Sequence, residues 1–106
     1  MIIDDSGILI EVEETDIVNG TVKIPEGVTK IGGSVFSGCT SLTNIEIPEG
    51  VKSIGWNVFE NCTNLTDIKI PKSVEYIGGG AFAGCTSLTN IKIPKSVECI
   101  GTRAFD

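Results

Sequence analysis

Apolar and polar residues in this chain follow a short period laid over a long one. In "LTNIEIP", Leu42 to Pro48, the apolar residues have L-x-x-I-x-I spacing. Ile45 and Ile47 therefore share one face of an extended strand, and Asn44 and Glu46 point to the other. Pro48 has no N–H to donate and ends the strand's hydrogen bonding. Val51 and Ile54 point inward from a second short extended segment. Gly55 is read as turning the chain, and Val58 and Phe59 as plugging the core from a single helical or 3₁₀ turn. Gly38, Asn61 and Gly84 stand where a left-handed residue would end that turn. Cys62 and Leu65 then lead into the next strand.

The long period is 23 residues. Pro25, Pro48, Pro71 and Pro94 recur at that interval, as do Phe36, Phe59, Phe82 and Phe105, and Cys39, Cys62 and Cys85. "GCTSLTNIEIP" from Gly38 and "GCTSLTNIKIP" from Gly84 differ by one letter. One such unit cannot bury its own apolar side, but stacked units bury a continuous core, with matching positions about 4.8 Å apart. The units run over 24–46, 47–69 and 70–92, and a partial one over 93–106. Residues 1–23 read as a cap. "IIDDSGILIEV" gives two short strands around an Asp-Asp-Ser-Gly turn, and "NGTVKIP" a degenerate first strand.

The pattern C-x-x-L-x-x-I-x-I-P-x-x-V-x-x-I-G-x-x-x-F, over residues 24 to 106, resembles the BspA-like, or Treponema pallidum-type, leucine-rich repeat. The resemblance implies an α/β-type repeat solenoid, mostly β and turn. Its short parallel strands would form the concave face, with second extended segments and single helical or 3₁₀ turns elsewhere. It also implies proteins that are secreted or on bacterial surfaces and bind host proteins, matrix or other cells. Fold alone does not give function.

Composition narrows the classes. A chain of 106 residues is one domain. A net charge of −6 argues against nucleic acid as partner, since phosphate binding needs clustered Lys and Arg. The chain has no run of 18 apolar residues to insert into a membrane. "MIIDDSG" lacks the basic start and apolar stretch of a secretory signal. That leaves either a cytoplasmic chain or an excised or mature piece of a longer one. There is no His, the commonest general base, and no enzyme or cofactor signature. "EVEETD", Glu11 to Asp16, reads as a solvated acidic loop without the ligand spacing of a calcium loop. Gly78, Gly79 and Gly80 make no phosphate cradle, because no Lys and helix follow in the required places.

Five features remain. Cys39, Cys62 and Cys85 run parallel up the stack, so they suit neither a disulfide nor a tetrahedral metal site and read as buried structural thiols. Cys99 falls in a different, surface-leaning column. Trp56 replaces Gly33, Gly79 and Thr102 in its column, with Tyr76 one coil on. The pair reads either as a secondary interface contact or as cover for a neighbouring glycine. The polar strand face of Asn44, Glu46, Asp67, Lys69, Asn90 and Lys92 reads either as an ordinary solvated face or as the candidate protein-binding surface. The last coil stops before its strand, leaving Cys99, Arg103 and Phe105 as a candidate self-association end. The leading expectation is a non-enzymatic protein-binding or adhesion module. The alternatives are a self-assembling domain, dimeric or a longer array, and a small acidic intracellular inhibitor of a larger protein.

Overall fold

The computed structural model describes residues 1–89 and 91–105, and shows a flattened solenoid of 31 × 31 × 18 Å. Among the described residues nine short strands form it: β1 (Ile2–Ile3), β2 (Ile8–Glu11), β3 (Thr21–Lys23), β4 (Lys30–Ile31), β5 (Asn44–Glu46), β6 (Ser53–Ile54), β7 (Asp67–Ile68), β8 (Tyr76–Ile77) and β9 (Cys99–Ile100). They build two sheets, one of order β1-β2-β4-β6-β8-β9 and one of order β3-β5-β7. Every pairing from β3 onward is parallel, and partners lie one period apart: Val22 with Ile45, Ile45 with Ile68, Ile31 with Ile54, Ile54 with Ile77. The period of the sequence is thus the register of the sheets. A slip of one residue would turn each buried column out to water.

At the start, β1 and β2 form an antiparallel hairpin whose turn is closed by the Asp4 carboxylate, which accepts from Ser6 N and Ile8 N. β2 then pairs with β4 in parallel, placing Leu9 beside Ile31 and sealing the first coil. Leu9 is fully buried although it belongs to no complete unit.

The core is a set of columns. Phe36, Phe59 and Phe82 are buried and stack with Phe105 at centroid distances of 5.5, 5.3 and 5.2 Å, with planes within 15°. Leu42 and Leu65, Val51 and Val74, and Ile54 and Ile77 repeat the arrangement.

Two local expectations change. The Val58–Phe59 segment and its equivalents form linked turns, and the single 3₁₀ turn among the described residues is Glu14–Asp16 in the lead-in. The reason lies in where the amides go. Phe36 N donates to Val58 O, Phe59 N to Ala81 O and Phe82 N to Ala104 O, each reaching the next coil. A helix would use those amides internally. Left-handed residues bracket the segment on both sides: Ser34, Asn57, Gly80 and Arg103 before it, and Gly38, Asn61 and Gly84 after it. The second set was legible from the sequence; the first, with four different residue types, was not.

Gly55 also differs from its reading. Its column, Gly32, Gly55, Gly78 and Gly101, has no positive φ. Each amide donates to the coil before, at 2.7 to 2.9 Å, and a Cβ on Gly55 would lie 2.8 Å from Ile31 O. Glycine is needed there for close approach of backbones, and not for a turn.

Candidate functional site

Polar side chains bind coil to coil along several columns. Cys62 Sγ donates to Phe36 O and Cys85 Sγ to Phe59 O, both at 3.0 Å. Burial pushes the Cys62 thiol up to about 12, and raises Cys39 and Cys85 above the usual range. A thiol held protonated is a poor nucleophile and metal ligand. Cys62 is therefore a small core residue whose S–H satisfies a carbonyl of the neighbouring coil, while Cys39 and Cys85, expected to be buried, are half-buried nearer the ends of the stack. All four cysteines are free, and Cys99, in β9, is exposed. Among the described residues, no group of three or more His, Cys, Asp or Glu gathers as metal ligands would.

Threonine and serine do similar work. Thr43 Oγ1 donates to Gly20 O, Thr66 Oγ1 to Thr43 O, and Asn64 Nδ2 to Thr40 O. Ser73 Oγ donates to Val51 O at 2.7 Å, and Ser96 Oγ to Val74 O at 2.9 Å. The threonine column that borders the strand face is thus partly taken up by the scaffold.

The strand face itself is built by β3, β5 and β7. Lys23 pairs with Glu46, and Asn44 with Asp67, in register. Glu46, Asp67, Lys69 and Lys92 are exposed, and Asn44 is half-buried. Asn90 lies outside the described residues. Two shallow depressions meet at Asp67 and Lys69: one includes Asn44 and Glu46, the other Glu49, Lys72 and Lys92. Glu49 and Lys72 were not singled out from the sequence. The signal was present in their column, which reads Glu26, Glu49, Lys72, Lys95 and so changes sign halfway along the solenoid.

Trp56 and Tyr76 come together. The indole Nε1 donates to the Tyr76 hydroxyl at 3.1 Å while the Trp56 side chain stays 66% exposed. The indole also lies over a glycine, since a Cβ on Gly78 would be 2.7 Å from Trp56 Cδ1. The structure thus shows Trp56 as cover for a neighbouring glycine, with its indole tied to Tyr76. At the last coil, Phe105 stacks on Phe82 yet remains 45% exposed, with Ile100 and Ile93 also open. Cys99 and Arg103 occupy the same coil, Cys99 in β9 and Arg103 in a left-handed turn position. The acidic lead-in is ordered: Asp16 accepts from Glu13 N and pairs with the Met1 amine, both at 2.9 Å. The backbone hydrogen bond from Glu13, with help from the amine, holds the Asp16 carboxyl below its ordinary value.

The family model for the BspA-type leucine-rich repeat region matches residues 16–106, in six copies. The chain belongs to this family. The match begins upstream of residue 24, so it takes in the "NGTVKIP" strand and part of the acidic lead-in. Among solved structures, a leucine-rich repeat protein of Treponema pallidum is 34% identical, with a TM-score of 0.75 over 78% of this chain and 41% of that one. A leucine-rich repeat protein from Bacteroides ovatus is 37% identical, with a TM-score of 0.78 over 89% of this chain and 26% of that one. The pneumococcal vaccine antigen PcpA is 25% identical, with a TM-score of 0.85 over 93% and 24%. The chain therefore spans less than half the length of each. No curated protein matches it significantly. In BspA-type terms the molecule is about four coils of leucine-rich repeat with almost no helix.

Proposed function

We propose that this leucine-rich repeat module is a non-enzymatic binder of a protein partner, acting through the face of β3, β5 and β7 as an adhesion module does. The observation that carries the reading is the pair of depressions joined at Asp67 and Lys69, on the face where Lys23 stands in register with Glu46 and Asn44 with Asp67. Mixed charge on a rigid parallel scaffold favours orientation and selectivity over bulk affinity. The fold shared with a pneumococcal vaccine antigen supports a setting outside the cell.

The test is retention of the protein on surfaces coated with extracellular-matrix proteins. One variant replaces Asn44, Glu46, Asp67, Lys69, Asn90 and Lys92 with Ala, and a control replaces the corner residues Glu26 and Lys95. The reading expects retention to drop at least tenfold in the first and to stay in the second. Equal retention by both would sink it.

One observation favours a second reading, self-association through the last coil: Ile93, Ile100 and Phe105 are exposed together at that end. A molar mass that doubles with concentration under reducing conditions, and stays monomeric after Phe105→Asp, would support it. A monomer at every concentration would remove it.

A further inference from the structure

The Trp56–Tyr76 groove lies apart from the strand face and has a chemistry of its own. Trp56 and Tyr76 are the chain's sole Trp and sole Tyr, and each departs from its column, which holds Gly33, Gly79 and Thr102 for one and Lys30, Ser53 and Cys99 for the other. Two independent departures have placed two aromatic rings together. The hydrogen bond from the indole to the phenol, with the contact over Gly78, fixes a ring that is otherwise two-thirds in water. A fixed aromatic plane loses little rotamer freedom when a ligand lands on it.

The rest of the groove is polar and balanced. Gly79 and Gly80 form its floor, and their backbone groups are already engaged: Gly79 O accepts from Asn57 N and Gly80 N donates to Thr102 O. Around the floor stand one amide, Asn57, one carboxylate, Glu60, one hydroxyl, Thr102, and one guanidinium, Arg103. The charges cancel, so the groove selects neither an anion nor a cation. An apolar plane beside a neutral rim of donors and acceptors suits a ligand with an apolar face and a hydroxylated edge. A pyranose ring is such a ligand. Rings whose substituents are all equatorial leave the flattest C–H face, which makes the β-gluco configuration the best fit to an indole.

We propose that the Trp56–Tyr76 groove is a glycan-binding subsite that stacks a β-gluco-configured pyranose on Trp56 and hydrogen-bonds its hydroxyls through Asn57 and Glu60. A single stacked residue on an open groove binds weakly, with a dissociation constant on the order of 1 mM. The occupant is a sugar rather than a proline-rich peptide because polar side chains, Asn57 and Glu60 among them, stand around one ring, where a proline helix needs a row of parallel aromatic walls.

The experiment is a titration of the intact chain with cellotetraose, with α-mannotetraose as the axial-hydroxyl control. Because Trp56 is the sole tryptophan, its fluorescence reports this groove and no other place. A saturable blue shift with cellotetraose, at least tenfold weaker with α-mannotetraose, is expected. Tyr76→Phe removes the acceptor that holds the indole and should weaken binding about fivefold, the equivalent of one neutral hydrogen bond. Trp56→Gly restores the residue found in the neighbouring coils, so it should fold. Saturation transfer from that protein to the sugar ring protons should be lost. No shift with cellotetraose, an equal shift with α-mannotetraose, or undiminished transfer in folded Trp56→Gly would each overturn the proposal. So would a response confined to a proline-rich peptide.

Discussion

Phe59 and Phe105 hold the same place in their coils, and Ile54 and Ile100 another. Phe59 and Ile54 are fully buried, whereas Phe105 is 45% and Ile100 47% exposed. The residue types, the local turn and the ring stacking are alike in both coils. What differs, among the described residues, is whether a further coil packs above the ring. In a solenoid each unit contacts only its neighbours, so a residue's worth is set by its position in the stack as much as by its chemistry. The N-terminal end teaches the same lesson from the other side: the β1–β2 hairpin supplies Leu9 to cover Ile31, and there the first coil's core is closed.

The largest test of this contrast is truncation of the two rings. Phe59→Ala opens a cavity between two stacked phenylalanines and should cost about 4 kcal/mol in urea unfolding. Phe105→Ala removes a half-exposed ring with one stacking partner and should cost about 1 kcal/mol. Equal losses would break the comparison.

A smaller effect sharpens it at the turns. Gly80 sits at φ +67 beneath the Asn57 side chain, and a Cβ there would meet the amide oxygen. Gly80→Ala should lose about 2 kcal/mol, part from the left-handed backbone and part from displacing Asn57. Asn61→Gly, in the other left-handed column at φ +58, relieves backbone strain while removing a side chain that lies against Gly84, and should change the unfolding midpoint little.

The smallest effect is a slope with pH. The Cys62 thiol is held near 12 in the folded chain, above its value when unfolded. A group whose folded pKa is raised contributes stability that is whole below the unfolded value, near 9, and is lost as pH climbs toward 12. The unfolding midpoint should therefore fall across that window, and less steeply in Cys62→Ala. In the same window Cys99, exposed in β9, should react with a thiol reagent well before Cys62 does. Matched reaction rates for the two would contradict the burial of Cys62.

Much of this was written in the sequence because the repeat does the averaging that a single segment cannot. Four copies of one pattern separate Ile45 and Ile54, which face inward, from Asn44 and Ser53, which do not. The left-handed sites at Gly38, Asn61 and Gly84 were legible because Gly and Asn are the residues that tolerate them. Ser34, whose amide donates to Trp56 O in the next coil, and Arg103 are left-handed too, and their residue types carry no such mark. A helical turn at Val58–Phe59 was a fair local expectation, but the amide of Phe59 pairs with Ala81 O in the next coil, and a contact between coils is not visible in a window of a few residues. The same holds for the function-bearing surfaces. The strand-face columns could be read from alternation. The entry of Glu49 and Lys72 into that surface depends on how the corner folds over it, and the Trp56–Tyr76 bond spans 20 residues of sequence.

The most direct test of stability set by place in the stack is native-state hydrogen exchange at equivalent amides. Gly32, Gly55, Gly78 and Gly101 each donate to the coil before them with nearly the same geometry. Protection should be highest at Gly55 and Gly78 and lowest at Gly101, whose coil is open on one side, with Gly32 held up by the hairpin cap. Equal protection at Gly55 and Gly101 would show that each coil is stable by itself, and would contradict the nearest-neighbour picture.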